Sequence, residues 1–572
     1  MNATDKADAF VDSFVKKNRM GDSELNEYSN AVKVHETAAL RLPMQAEVQQ
    51  VLADLDEDSA TGPDGVPTRV LKRCGAMLAK PLHMILLCIL KHGKWPRTWR
   101  MHWIFPLHKK KSVFLPNNYR GVHLTCQASK VVERAMMPMF VPHLRAVGAF
   151  GKNQFAYLPE RGARDALAFV VLTWIWEWCC GNKIAVYCSD VSGAFDKVKA
   201  EKLVCKLQCY GVEPSVLEVL KSWLETRHAN VIVESEMSKN MTLKNMVYQG
   251  TVFGPPLWNT HYGDASSAVN KNDFTEVVFA DDLNAFKAFA NNVPDDVLHD
   301  GMQVCQTNVH AWGRGNQVSF DPLKESKHIL ATQGRGSGGS FLLLGVTFDT
   351  GLTMAEEMHN LINALTWKIG TINRTGKFFP ARDLINLYKS KILSFVECRT
   401  AAIYHTCDTY LDRLDALQTR FLREHALTEI QGLVEHNLAP LSTRRDIAML
   451  GLIHRAVLGK GPEHFSRFFR LAPTTSLKKT RLQQRRHTRQ LVELQDFAHL
   501  EIARRSAIGL ISIYNLLPQG AVDKECVSAF QAYLQNMVKH NAIRGHEEWR
   551  RWFSPRLPLH CHPLAQSQSA GL

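Results

Sequence analysis

The chain has 572 residues, 45% of them hydrophobic, which is enough to bury more than one core and too long for one compact domain. Its 69 lysines and arginines outnumber 55 aspartates and glutamates, and the resulting formal charge of +14 favours an anionic partner such as a phosphate backbone. The 13 cysteines follow no regular framework and no apolar leader opens the sequence, which excludes a disulfide-stapled secreted scaffold and points to a reducing compartment, nuclear or cytoplasmic.

Residues 1–55 read as helical up to the acidic DLDEDSATGPDG run, whose Gly62-Pro63-Asp64-Gly65 end is a turn. Thr68 to Gly93 reads as helix. MHWIFPLHKKKS then suits a strand running into a basic loop that closes at Pro116 to Thr125. The longest apolar stretch, Ala166 to Trp176, falls short of the ~20 residues that span a bilayer; it reads as a buried helix, and no membrane partner is expected. Lys183 to Ser189 is a strand ending at Asp190, and a helical pattern runs from Ala194 to Gly211. Asn230 to Glu234 and Thr242 to Tyr248 look like paired strands before a Gln249-Gly250 turn. Thr275 to Ala280 and Leu283 to Phe289 flank Asp281-Asp282, which sets these two acids at a hairpin tip. GRGSGG, Gly334 to Gly339, reads as a linker, and Phe341 to Phe348 as a strand or tight hairpin. Helices then dominate, with Leu384, Leu387, Tyr388, Ile392 and Phe395 on one face and Leu411, Leu414, Leu417 and Phe421 on another. Cys205 and Cys209 have no histidine partners and read as core rather than zinc ligands, and His560-Cys561-His562 as a surface tail.

Asp190 ends one strand while Asp281 and Asp282 cap a hairpin. If those strands are neighbours, three carboxylates converge, and hard oxygens at fixed strand ends are what divalent cations require. A pair of adjacent aspartates says little alone. Asp295-Asp296, after Pro294, is such a pair and reads simply as a helix start, where acids suit the macrodipole.

Order and company strengthen the reading. SDVSGAFDKV (Ser189 to Val198), YQGTVFGPPLWN (Tyr248 to Asn259) and FADDLNAF (Phe279 to Phe286) resemble, in order, the A, B and C motifs of reverse transcriptases. GPDGVP (Gly62 to Pro67), NYRGVHLTCQASKVVER (Asn118 to Arg134) and NQFAYLPERGARDAL (Asn153 to Leu167) resemble the upstream motifs of the non-LTR (LINE-type) retrotransposon enzymes. FDPLKESKHIL (Phe320 to Leu330) and FLLLGVTFD (Phe341 to Asp349) are similar to that family's D and E motifs, and LYKSKILSFVE to the start of its thumb. The resemblance covers residues 40–425.

It implies an α+β right-hand polymerase with an N-terminal helical extension (1–55), fingers (56–160) and a palm carrying an antiparallel sheet (161–333). A primer-grip hairpin with a helical thumb (340–430) and a basic helical C-terminal region (431–572) would follow. It implies RNA-templated DNA synthesis from deoxynucleoside triphosphates on a DNA primer or target, with two Mg²⁺ ions, or Mn²⁺ as substitute. Asp190, Asp281, Asp282 and the main-chain carbonyl of Val191 would hold the metals, and Lys324 would protonate the leaving pyrophosphate, against the alternative of a solvated lysine in a turn. Lys109 or Lys110 and Arg120 would grip the triphosphate, against the alternative of a solvated basic loop. Phe195 would exclude the ribose 2′-hydroxyl, Gln249 and Gly250 would form the turn beside nucleotide and template base, and Gly345 would admit the primer backbone.

Pro255-Pro256, Asn284 and His123 depart from the commoner family choices, and none removes a carboxylate. Relatives usually carry an endonuclease as well, and the stretch before the fingers is too short to hold one. Two rivals remain at this point: a group II intron-type maturase with reverse transcriptase activity, and a catalytically silent nucleic-acid-binding relic. Ser476 to Gln490 contains six lysines and arginines and no acid, which fits either a nucleic-acid contact or a solvated helix face. Trp549, Trp552 and Phe553, among arginines, read as core rather than as base-stacking rings.

Overall fold

A computed structural model describes residues 2–18, 35–109, 111–332, 334–473, 487–493 and 500–566; Lys110 and residues 476–486 of the basic stretch lie outside them. The chain divides into two compact units that alternate along the sequence. The first comprises Met1–Tyr157, Ser189–Leu283 and Gln303–Glu325, and the second Leu158–Cys188, Asn284–Met302 and Ser326–Leu572.

The described strands, in chain order, are β1 (Met101–His108), β2 (Tyr119–Leu124), β3 (Asn182–Asp190), β4 (Arg227–Val233), β5 (Glu236–Met237) and β6 (Met241–Leu243). They continue with β7 (Thr275–Phe279), β8 (Asp282–Ala290), β9 (Ser326–Leu330), β10 (Phe341–Leu343) and β11 (Val346–Phe348). With the helices around them they make a mixed helix-and-sheet fold.

In the first unit β1 pairs antiparallel with β2, from Trp103 opposite Leu124 to His108 opposite Tyr119, and parallel with β4. β5 and β6 both add to β4 in antiparallel register. The segment Pro116 to Thr125 is therefore half strand, because its main chain satisfies itself on β1. The expected pairing of 230–234 with 242–248 is shifted and shortened: Arg227–Ala229 face Met241–Leu243, Ile232 and Val233 pair with β5 instead, and residues 244–248 form no strand. The core of this unit gathers Trp95, Phe140, Trp223, Tyr248 and Phe253, with edge or tilted ring contacts between 5.3 and 6.0 Å.

A second sheet has the order β7–β8–β3–β9, with β3 and β9 antiparallel from Ile184 opposite Leu330 to Cys188 opposite Ser326. The β3 and β8 ends that carry Asp190 and Asp282 belong to the first unit. Within the second unit the helix Ala163–Cys179 is apolar around nearly its whole circumference and buried accordingly. Its Trp174 meets Phe286, Phe341 and Phe348 edge-on at 5.6–6.3 Å. β10 and β11 close a tight hairpin through Gly345, at φ 78.

Several expectations need correcting. Residues 35–44 are not helical, so the N-terminal region holds Ala3–Asn18 and Gln45–Ala53 rather than one helical stretch. The helix expected from Ala194 begins at Ala200, since Phe195 and Val198 spend their backbone groups on Val247 and Asn245. Gly334 to Gly339 is fastened at its middle rather than a free linker: Ser337 bridges Ile329, and a Cβ on Gly336 would stand 2.6 Å from that of Thr350, while Gly334 and Gly339 are exposed. Cys205 faces solvent, and it is Lys206 beside it that is buried. Of the terminal cluster His562 is buried, its Nε2 3.2 Å from the Ser554 carbonyl, while Cys561 is exposed. A π-turn at Lys389–Leu393 shifts the stripe begun by Leu384 and Tyr388 onto Ile392, Leu393 and Val396. In Asp408–Glu424, Gln418 rather than Leu417 is buried, held by a 2.9 Å bond to the Ala439 carbonyl.

Trp549, Trp552 and Phe553 are buried, as read. No disulfide joins any of the 13 cysteines. Among the described residues one helix, Gly75–His92, is long and apolar enough to cross a bilayer; its Ala79, Leu82, Leu86, Ile89 and Leu90 are buried in the fold.

Candidate active site

Strand β3 carries Asp190 to its end, and the next residues are zipped onto a neighbouring strip. The Asp321 amide donates to the Asp190 carbonyl at 3.0 Å, the Ser192 amide donates to Ser319 at 2.8 Å, and Val191 bridges Phe320. Ser189 Oγ donates to the Leu283 carbonyl at 3.2 Å, tying this strand end to the start of β8. Two residues, Ala280 and Asp281, turn β7 into β8. Ala280 takes φ 60, a left-handed conformation that glycine usually fills in such turns. Both of its peptide groups are held: its amide donates to Gln154 Oε1 at 3.0 Å, and its carbonyl accepts from Trp258 Nε1 at 2.9 Å.

This architecture sets three acids against one another. Burial, then the charge of Asp190, raises the pKa of Asp281, against partial relief from Arg120 and Lys324. Burial, then Asp281 and Asp190, pushes Asp282 up to about 7, and a hydrogen bond to Asp190 favours its protonated form. Lys324 forms an ion pair with Asp190 and lies 3.8 Å from Asp321. Burial works to lower the lysine's pKa, but its bond to Asp190 and the charges of Asp190, Asp321 and Asp282 outweigh that and raise it. Among the described residues no three acid, histidine or cysteine side chains are gathered closely enough to cage an ion as they stand. The donor set is nevertheless of the right kind: hard oxygens whose mutual repulsion a cation relieves.

A cationic group faces the acids. Lys109, its amide bonded to Asn118 at 2.9 Å, feels Arg120 and Lys324 as like charges and Asp196 and Asp281 as opposite ones. Arg120 sits on β2 opposite Leu107. Asp196 is half-buried, and burial raises its pKa against the pull of Lys17, Lys109, Arg120 and Lys197. Phe195, next to it, is buried flat against Trp258 and edge-on to Tyr157. Gln249 accepts the His123 amide at 2.7 Å, and Gly250 takes φ 102 where a Cβ would meet the His123 carbonyl at 2.6 Å. His123 itself, with His102 and Arg227, belongs to a buried network beneath this turn. The two imidazoles lie 3.0 Å apart, and Arg227 reaches His102 at 2.8 Å.

Asp190, Val191, Asp281, Asp282 and Lys324 are thus neighbours, as are Lys109, Arg120 and Phe195 with Asp196, while Lys110 lies outside the described residues. Sequence reasoning passed over Gln154, Asp196, Trp258 and Tyr262. Asp196 adjoins a residue singled out as a gate, and Gln154 and Trp258 stand inside quoted motifs, so the signal was present as position but not as chemistry.

Residues 107–347 match the family described as reverse transcriptase (RNA-dependent DNA polymerase). They form a reverse transcriptase domain. The three acids, Lys109, Arg120, Phe195, Trp258 and Lys324 all fall inside that domain, and Lys17 and the helices beyond residue 347 fall outside it. Among curated proteins the chain is similar to the RNA-directed DNA polymerase from mobile element jockey of Drosophila melanogaster. The two are 23% identical over 412 residues, 67% of this chain and 44% of the relative. It is also similar to the probable RNA-directed DNA polymerase from transposon X-element of the same fly, 22% identical over 66% of this chain and 43% of the relative. The corresponding protein from transposon BS is 24% identical over 49% of this chain and 31% of its own length. The chain therefore spans less than half the length of these relatives, and the resemblance to LINE-type reverse transcriptases is borne out.

Proposed function

We propose that the chain is the RNA-directed DNA polymerase of a non-LTR retrotransposon, copying an RNA template into DNA from a DNA primer and deoxynucleoside triphosphates. The observation that carries this reading is the meeting of Asp190 with the Asp281–Asp282 hairpin inside a reverse transcriptase domain. On this reading residues 56–160 act as fingers, 161–333 as palm, 340–430 as primer grip and thumb, with 1–55 and 431–572 as flanking regions in a nuclear or cytoplasmic protein.

Asp190, Asp281, Asp282 and the Val191 carbonyl would hold two Mg²⁺ ions once Lys324 releases Asp190. Those ions supply charge stabilisation for the attacking and leaving oxygens of an in-line displacement. The protein's own residues do the rest. Lys109 and Arg120 neutralise the triphosphate, with Asp196 offsetting their mutual repulsion when no phosphate lies between them. The ring of Phe195 closes the space a 2′-hydroxyl would need. Gly250, lacking a Cβ, brings backbone close to the nascent base pair. Lys324, held protonated by its acid neighbours, delivers a proton to the departing pyrophosphate.

Primer extension on poly(A)/oligo(dT) tests this directly. Mg²⁺-dependent dTTP incorporation is expected, and Asp281→Asn should reduce it at least ~10³-fold, about 4 kcal/mol of barrier. Equal incorporation by the variant would remove the metal assignment.

A further inference from the structure

The ring of Phe195 does not pack into an undifferentiated core. It stacks on Trp258, with centroids 5.5 Å apart and planes within 22°, and Trp258 stacks in turn on Tyr262 at 5.1 Å and 17°. Tyr262 then meets Trp312 edge-on at 5.4 Å. Trp258 and Tyr262 are four residues apart on the helix Gly254–Tyr262, which places both on one face. That helix follows the Gln249–Gly250 turn, so the column rises from the same segment that forms the turn.

The middle ring has a second attachment. Trp258 Nε1 donates to the Ala280 carbonyl at 2.9 Å, and Ala280 is the left-handed residue directly before Asp281. Gln154 holds the other side of that residue, accepting from its amide at 3.0 Å. A left-handed alanine persists only where its surroundings over-determine it, and here two side chains do so. Trp258, Phe195 and Tyr262 are each less than a tenth exposed, and the Tyr262 hydroxyl is buried with no hydrogen-bond partner among the described residues. A residue serving only to fill volume needs neither a coplanar stack on the sugar-facing ring nor a directed bond to the strained end of the acid hairpin.

We infer that Trp258 is a positioning residue that sets the Phe195 ring with one face and the Asp281–Asp282 tip with its indole N–H, so that sugar selection and carboxylate placement share one support. This rests on the reverse transcriptase reading and on Phe195 as the sugar-discriminating ring, and it assigns to Trp258 no contact with substrate. The two attachments are chemically separable. Phenylalanine at 258 keeps a flat ring and loses the donor, whereas leucine loses both.

The test measures kcat and KM for dTTP and for UTP, and the Mg²⁺ concentration giving half-maximal rate, in the full chain. Trp258→Phe should leave the dTTP/UTP preference within about two-fold of the parent, lower kcat about ten-fold and raise the Mg²⁺ midpoint about five-fold. Trp258→Leu should do the same and also relax the sugar preference by about ten-fold or more. A volume-filling tryptophan would lower the melting temperature in both variants and leave sugar preference and Mg²⁺ midpoint where they were; that result overturns the inference. If Trp258→Leu does not fold, Tyr262→Leu, which removes the ring behind Trp258, takes its place and should relax the sugar preference with a normal Mg²⁺ midpoint. Phe195→Ala separates the two levels of argument. If it leaves the sugar preference unchanged, the gate assignment fails regardless of Trp258; if it relaxes the preference and the leucine variants do not, the Trp258 assignment alone fails.

Discussion

Two polar clusters of the first unit solve opposite problems. Around Arg227, a fully buried guanidinium, donors find acceptors: Nε and one terminal nitrogen bond the Trp223 carbonyl, and the other bonds the Trp99 carbonyl and His102. The cation lies 4.6 Å from the ring centres of both Trp223 and Tyr248. At the hairpin tip, by contrast, burial and neighbouring carboxylates raise the pKa of Asp281 and Asp282, and the turn carries a left-handed alanine. A satisfied network stabilises its surroundings; a group of repelling acids costs stability and is informative about function for that reason.

The difference can be broken at its widest point first. Asp281→Asn should remove at least ~10³-fold of primer extension while leaving stability to denaturant unchanged or higher, because a neutral isostere ends the repulsion. A large fall in stability would make the hairpin a structural element instead. Arg227→Met should have the reverse profile, losing about 3–4 kcal/mol by urea unfolding as His102 Nε2 and two carbonyls lose their partner.

Acid should act on the arginine cluster next. Burial, then Arg227, lowers the pKa of His123 to about 3, and burial does likewise for His102. Such histidines stay neutral when folded and protonate when unfolded, so stability is complete above about pH 6.5 and is lost as the pH falls towards 3. His123 alone should cost roughly 2.5–3 kcal/mol at pH 4.5, and His123→Asn should flatten the stability profile between pH 6 and 4.5. Gly250→Ala should follow at about 2 kcal/mol, from its left-handed backbone and its clash with the His123 carbonyl. The smallest effect is expected at Ala280→Gly, where strain relief of about 1 kcal/mol opposes the entropy of the added glycine, leaving the melting temperature within a few degrees of the parent.

The acids were legible in the sequence because each sits at the end of a short apolar run with strand character, so pattern alone placed them at edges and tips. The turn at Gln249–Gly250 and the helix ending at Gly93 were legible for similar local reasons. What escaped was long-range. Nothing in AFDKV announces that Phe195 and Val198 pair with Val247 and Asn245 rather than start a helix. Trp258 and Tyr262, four apart in an apolar helix, give the pattern of any buried helix face, and only their partners distinguish them. Gly336 and Gly338 looked like a tether because glycine's lack of a side chain serves close packing as well as freedom.

The interleaving of the two units bears on synthesis. Gln303–Glu325 is the last segment of the first unit, and it brings the strip at 319–321 that fastens 190–192, together with Lys324. A nascent chain still short of that point on the ribosome holds all three acids but lacks the strip that fixes the first of them. Premature termination before it would therefore yield a polypeptide with Asp190, Asp281 and Asp282 all encoded and the strand end at 190–192 left without its fastening strip.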